Sequence, residues 1–302
     1  MQNLKYFLIF IFFFFGFKQN SKAQDYNKIN NKRLITVISS ETILYSATLG
    51  SLYHLWYKDY KQSNFHTFND NNEWLQMDKF GHATTAYQVG RAGYDVLRWS
   101  GVKENKAVFF GGSLGLIFLS TVESFDGLST NWGFSWGDMG ANLFGSGLFI
   151  SQQLIWKEQR LALKFSYHPT QFPNYRPDLL GKNKYQSILK DYNGQTYWLS
   201  ANIHSFGKNI SFIPEWLNIA IGYGASGMTG STINTKSFKG RKIPYFNRTK
   251  SVYLSLDIDL CKIKTNNPFL KNLFYVLNFI KIPFPSIEFK EGNQPKYHWI
   301  YF

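Results

Sequence analysis

The sequence predicts an α+β protein: an N-terminal bundle of about four helices followed by an antiparallel β-rich region, for which a partial or small barrel is one open form. Three observations carry that prediction. Apolar, glycine-rich stretches with helical periodicity fill the chain up to Trp156. Short alternating segments separated by turn residues replace them after Lys157. The charge changes at the same place, since residues 24–156 carry 10 Lys and Arg against 11 Asp and Glu, whereas residues 157–302 carry 20 against 8.

At the N-terminus Lys5 precedes an apolar run from Tyr6 to Phe17 that is short for a membrane span and is followed by Ser21-Lys22-Ala23. That order predicts a signal peptide over 1–23, cut after Ala23, with an uncleaved anchor as the alternative. Either reading exports the chain to the cell envelope, at the outer membrane or on the periplasmic side of a membrane. A helical, membrane-associated module over 24–157 and a basic antiparallel β region over 158–302 follow. The single cysteine, Cys261, excludes an intrachain disulfide, and no lipid-attachable cysteine sits beside the cleavage point. Its strand-like, apolar surroundings predict a buried, inert thiol. In an exported chain the basic second half points to membrane lipid or lipopolysaccharide phosphates rather than to nucleic acid, a solvated face with no partner being the alternative. No protein partner and no cofactor can be named from these residues.

The helices are expected over about Arg33–Tyr57, Asp78–Trp99, Asn105–Phe125 and Trp136–Trp156. Glu41 interrupts the apolar surface of the first, and Arg91 and Asp95 lie in the second. Ala107 to Val122, the most apolar stretch, is shorter than the ~20 residues of a normal spanning helix. Gly111 with Gly115, Ala86 with Gly90, and Ala141 with Gly145 recur at four-residue spacing, which lets helix backbones approach closely. Strands are expected over Arg160–Tyr167, Thr196–Ile203, Trp216–Tyr223, Val252–Leu260, Pro285–Phe289 and Tyr297–Phe302, with Gly292-Asn293 as a hairpin turn. Leu161, Leu163, Phe165 and Tyr167 share one face, as do Leu254, Leu256, Ile258 and Leu260, so half-buried strands with a polar or lumenal reverse are expected. The aromatic C-terminal strand resembles that of outer-membrane proteins, yet six strands fall short of the ~8 of a closed bacterial barrel. Phe269 to Ile280 reads as an amphipathic helix able to lie on a membrane surface.

Five acids and bases stand out within these apolar stretches. Asp78 and His82 are four apart and project from one helix face, where a carboxylate can orient an imidazole as a general base or begin a metal site. Helix capping by Asp78 and packing of His82 are the alternative. Glu123 and Asp126 end the most apolar helix, where its dipole disfavours negative charge, so a cation, a metal ion or a retained proton must compensate unless Asp126 is hydrated. Ser135 and Asp138 have capping-box spacing, and Asn142 falls on the face of Asp138. Asp78, His82, Glu123, Asp126 and Asp138 are therefore the candidate catalytic residues, and the metal content is open.

Asp-Lys-x-x-His from Asp78, Glu123 three before Asp126, and Asp138-x-x-x-Asn142-x-x-Gly145 together resemble the pattern of VanZ-like membrane proteins and of YfiM-like predicted periplasmic lipoproteins, over about Met77 to Gly147. The resemblance implies a compact helical, membrane-associated envelope module without an assigned activity. For VanZ-like proteins it implies a link to glycopeptide susceptibility, hence cell-wall or lipid-linked substrates. The missing lipoprotein cysteine and the long basic extension depart from that pattern.

Two functions compete. One is an envelope protein of structural or assembly character, in which the Asp/His/Glu groups form a buried network that fixes helix packing. The other is a membrane-surface hydrolase or transferase acting on a lipid or lipid-linked substrate, with His82 as acid or base. No nucleophile motif, phosphate loop or HExxH helix supports the second, and binding of a metal or ligand without turnover is a third form.

Overall fold

Asn30 opens the first helix by accepting the Arg33 N–H on its side chain at 3.1 Å, and this helix, α1, runs Asn31–Leu52 before a π-helical turn Tyr53–Tyr57. The computed structural model describes residues 28–58, 60–207 and 212–301, so the leader expected at 1–23 lies outside the described residues. Helix α2 spans Met77–Trp99, and the expected third helix is two, α3 over Glu104–Gly112 and α4 over Leu114–Asp126, broken at Ser113. Helix α5 spans Trp136–Trp156; the Ser135 hydroxyl accepts the Asp138 N–H at 3.1 Å, and Lys157 ends it in a left-handed conformation. Together, Glu104–Asp126 is long and apolar enough to cross a membrane by length and composition, with 33% of its apolar window buried within the protein.

Strand β1 (Leu161–Tyr167) is followed by two short helices, α6 (Pro177–Leu180) and α7 (Lys184–Lys190), then β2 (Gln195–Asn202) and a single turn, α8 (Ile203–Phe206). Next come β3 (Leu217–Ser226), a small hairpin of β4 (Ser237–Phe238) and β5 (Arg241–Lys242), and β6 (Thr249–Ile258). Helix α9 (Pro268–Leu277), β7 (Phe284–Lys290) and β8 (Lys296–Tyr301) complete the described chain. Short helices α6 to α8 and the β4–β5 hairpin have no counterpart in the sequence prediction, because segments this short carry too few periods to be read.

The chain divides into two units. The first holds Met1–Asp70, His82–Gln159 and Thr265–Val276, and the second holds Asn71–Gly81, Arg160–Lys264 and Leu277–Phe302.

In the first unit glycines set the helix spacing. A Cβ on Gly115 would stand 2.2 Å from the Ala86 carbonyl oxygen, and one on Gly145 would stand 2.0 Å from that of Ala83. Only hydrogen fits at such approaches, so α4 and α5 lie backbone to backbone against α2. Val37, Val96, Leu97, Val102 and Ala107 form its apolar cluster. Helix α9 packs here rather than standing free: the Tyr275 hydroxyl donates to Asp95 and the Arg91 guanidinium stacks over the Tyr275 ring at 4.4 Å.

In the second unit the antiparallel strand order is β1-β2-β3-β6-β7-β8. The sheet is not closed, since β1 and β8 are its two edges. It is nevertheless rolled: the Phe165 N–H donates to the Phe279 carbonyl and the Lys281 N–H to the Phe165 carbonyl, both at 2.9 Å, so the segment entering β7 lies along the free edge of β1. The faces are sorted opposite to those of a soluble sheet. Trp198, Ser200, Ala220, Tyr253, Ser255, Asp257 and Ser286 are buried, while Leu199, Ile219, Ile221, Val252, Leu254, Leu256, Ile287 and Phe289 are exposed. The expected alternation is present, and the reverse face is the lumenal one of the two forms expected. Cys261 corrects an expectation. It lies in a 3-10 turn, Leu260–Lys262, after β6 has ended at Ile258, and it is exposed rather than buried in a strand.

A left-handed turn precedes α2, with Trp74, Leu75 and Gln76 at φ 45°, 50° and 67°. Within the second unit it is held by the Trp74 N–H donating to the Ser231 carbonyl and the Tyr223 hydroxyl donating to the Leu75 carbonyl, each at 2.7 Å.

Candidate functional site: a histidine between two carboxylates

The close approach of Gly145 to Ala83 brings the residue just before Ala83 against the one a turn before Gly145. His82 on α2 and Asn142 on α5 meet there, Nδ1 to Oδ1 at 3.0 Å. An amide oxygen only accepts, so Nδ1 carries the proton and Nε2 is turned the other way. Nε2 faces Glu123 Oε1 at 3.7 Å and Asp138 Oδ1 at 3.9 Å. One ligand atom from each of His82, Glu123 and Asp138 lies within 4.8 Å of the others, Glu123 and Asp138 being buried.

Glu123 is also held from outside the triangle, and two further acids stand beside it. The Ser135 N–H donates to Glu123 Oε2 at 3.1 Å, so the start of α5 offsets the unfavourable position of Glu123 near the end of α4. The Ser135 hydroxyl donates to Asp70 Oδ1 at 2.6 Å. Asp126 accepts the Tyr57 hydroxyl at 2.6 Å. Burial, reinforced by the charge of Asp138, pushes the Glu123 carboxyl up to about 8, against the Ser135 N–H. Burial likewise pushes Asp126 up to about 6, against the Tyr57 hydrogen bond and the neighbouring His82. Asn142 Nδ2 and Ser146 Oγ are buried beside this site with no hydrogen-bond partner among the described residues.

Of the five expected residues, the first unit brings His82, Glu123 and Asp138 together and sets Asp126 next to them on α4, one turn from Glu123. Asp78 sits one turn before His82 on α2, in the part of that helix that belongs to the second unit, and pairs with Lys79 at 3.0 Å. Ser135 is the N-cap that its spacing predicted. Asp70 and Tyr57 were not foreseen. Asp70 stands in the run Asn69-Asp70-Asn71-Asn72, which reads as an ordinary polar turn, and Tyr57 closes an apolar helix with nothing to mark its hydroxyl.

This arrangement gathers one imidazole and two carboxylates on three helices. An imidazolium proton or a divalent cation would satisfy it, and Asn142 fixes which ring nitrogen is offered.

A family model described as "Predicted periplasmic lipoprotein (DUF2279)" matches residues 66–152. The matched stretch runs from just before Asp70 into the last turns of α5 and contains every member of the cluster except Tyr57. No curated protein and no solved structure matches the chain. The match supports the envelope-family part of the resemblance and carries neither the VanZ-like nor the YfiM-like name. Over residues 66–152 the chain is thus similar to an envelope family without an assigned activity, in accord with the exported, envelope-side location expected from its N-terminus.

Proposed function

We propose that this is a membrane-associated envelope protein of structural or assembly character, whose helical unit is tied together by a divalent cation held by His82, Glu123 and Asp138. One observation carries the reading. The His82 Nε2 lone pair and two carboxylate oxygens converge at 3.7 and 3.9 Å, too far for hydrogen bonds and close to the ~3.4 Å ligand-to-ligand spacing around a small tetrahedral cation. Nitrogen and carboxylate donors together suit zinc or manganese. Because α2, α4 and α5 each supply a ligand, the cation acts as a clamp on the bundle. Membrane association is supported by bare apolar side chains on the outer helix faces, among them Ile43, Phe110, Trp136, Leu143 and Ile155.

The test is metal analysis of the full chain purified without chelator, followed by thermal unfolding with zinc or manganese restored. Retained metal and a raised Tm, both lost in Glu123→Gln, are expected. Absence of metal together with a Tm indifferent to either ion would overturn the reading.

A second reading, a membrane-surface hydrolase or transferase with His82 as acid or base, is favoured by the raised Glu123 carboxyl, which keeps a proton available beside the imidazole. The variant His82→Ala separates the two. Loss of function with unchanged abundance and Tm supports chemistry, and loss of all three supports the clamp.

A further inference from the structure

The outward face of the rolled sheet is a continuous apolar band. Its middle row crosses all six strands in direct register, Leu163 to Leu199 to Ile221 to Leu254 to Ile287 to Tyr297. The row on one side reads Leu161, Ala201, Ile219 and Leu256, and that on the other Phe165, Tyr197, Tyr223, Val252 and Phe289. No charged residue stands in any of them. Within the second unit the first turn of α2 covers part of the aromatic row, where Phe80 stacks on Tyr223 at 4.5 Å. Leu163 at the β1 end of the middle row is buried, but from Leu199 to Tyr297 the row stays bare, with Ile221 54% and Leu254 43% exposed, and Trp299 beyond it on β8 78% exposed.

The inward face holds what a soluble sheet would show to water. Lys164 pairs with Asp257 at 2.8 Å with both side chains wholly buried, and Ser200, Asn218 and Asn202 continue a chain of hydrogen bonds from that carboxylate. Glu288 accepts from Ser251 and Tyr253 and pairs with His298 at 2.8 Å. A polar lumen with its carboxylates hydrogen-bonded, inside an apolar outer band, is the sorting that hydrocarbon, not water, selects.

The length and the charge fit the same surroundings. Strands β3 and β6 have 10 residues each, about 34 Å, against a hydrocarbon core of about 30 Å. Between Gly227 and Lys250, where β3 turns back into β6, the chain carries six Lys and Arg and no acid, and the β7–β8 turn at the same end of the sheet adds Lys290 and Lys296 against Glu291. One end of the band is thus complementary to anionic headgroups. The face is also the outside of a roll, so a fluid that wraps it covers it more fully than a single rigid partner.

We infer that the outward face of β1, β2, β3, β6, β7 and β8 is seated in the acyl chains of a bilayer, with the basic β3–β6 connection against anionic phospholipid phosphates. This deepens the membrane association proposed above and is independent of the cation at His82.

The experiment uses the full chain with Cys261→Ser and a single new cysteine at Leu254, carrying an environment-sensitive fluorophore, reconstituted into phosphatidylethanolamine and phosphatidylglycerol vesicles. A blue-shifted emission that is lost when the acyl chains are brominated is expected, as is protection of the unlabelled Leu254→Cys thiol from a water-soluble maleimide. Ile287→Cys serves if Leu254→Cys does not fold, and Lys239→Cys in the exposed hairpin gives the free reaction rate. Reaction of the strand cysteine as fast as Lys239→Cys would overturn the inference. So would protection without quenching by brominated chains, which assigns the face to a second copy or another protein. Metal content is unaffected by any of these outcomes, so failure here leaves the cation reading standing.

Discussion

Lys164 on β1 meets Asp257 on β6 across two intervening strands, nitrogen to oxygen at 2.8 Å, with neither side chain reaching solvent. Only a rolled sheet lets those strands face each other. The ammonium also donates to the Ile258 carbonyl at 2.7 Å and to Asn278 Oδ1 at 3.3 Å, and Asp257 takes the Ser200 hydroxyl at 2.7 Å.

Asp257→Ala leaves that ammonium buried and uncompensated, and a loss of about 3–5 kcal/mol is expected. The double variant Lys164→Met with Asp257→Leu recovers most of it, because no buried charge remains. Denaturant unfolding of the three chains checks this, and a single variant no worse than the double would show that the pair does not hold the roll.

Gly145→Ala drives a methyl group to 2.0 Å from the Ala83 carbonyl oxygen, so α5 must move off α2. A loss of about 3 kcal/mol is expected, together with weaker metal retention as Asn142 leaves His82. Gly147→Ala on the same helix meets nothing within 4 Å and is expected to stabilise by about 0.5–1 kcal/mol through helix propensity alone. Equal effects of the two substitutions on Tm would sink the close-packing account.

Glu41 on α1 has an Oε1 with no hydrogen-bond partner, and burial pushes its carboxyl up to about 7 from 4.5. Between those values the folded chain keeps a proton that the unfolded chain releases. Stability therefore falls as pH rises from about 4.5 to about 7 and is level above that window. Glu41→Gln removes the slope, so its Tm advantage over the parent chain grows from about pH 5 to about pH 8. Parallel Tm curves across the window would contradict the assignment.

Gln76 closes the left-handed turn before α2 at φ 67°, where a side chain costs about 1–2 kcal/mol. Gln76→Gly relieves that cost and gives part of it back as unfolded-state entropy, for a net gain of about 0.5 kcal/mol. A lower Tm would mean that contacts of the Gln76 side chain outweigh the backbone strain.

The residues alone determined the division into a helical and a β-rich half, since period 3.6 up to Trp156 and period 2 after Lys157 are local properties of the chain. They placed α5 at its observed bounds because Ser135 caps it and Lys157 ends it, and the glycine spacing foretold backbone contact. They also singled out His82, Glu123 and Asp138 by placing charge in apolar helices. Which charged groups meet was beyond them. His82, Glu123 and Asp138 converge because Gly115 and Gly145 dock α4 and α5 on α2, an event that no single helix encodes. Asp70 and Tyr57 joined the site from a polar turn and an apolar helix end that carry no mark of it. The facing of the sheet was likewise tertiary. Alternation names two faces, but only the roll that closes Lys164 onto Asp257 decides that the polar face is inside and the apolar face is bare.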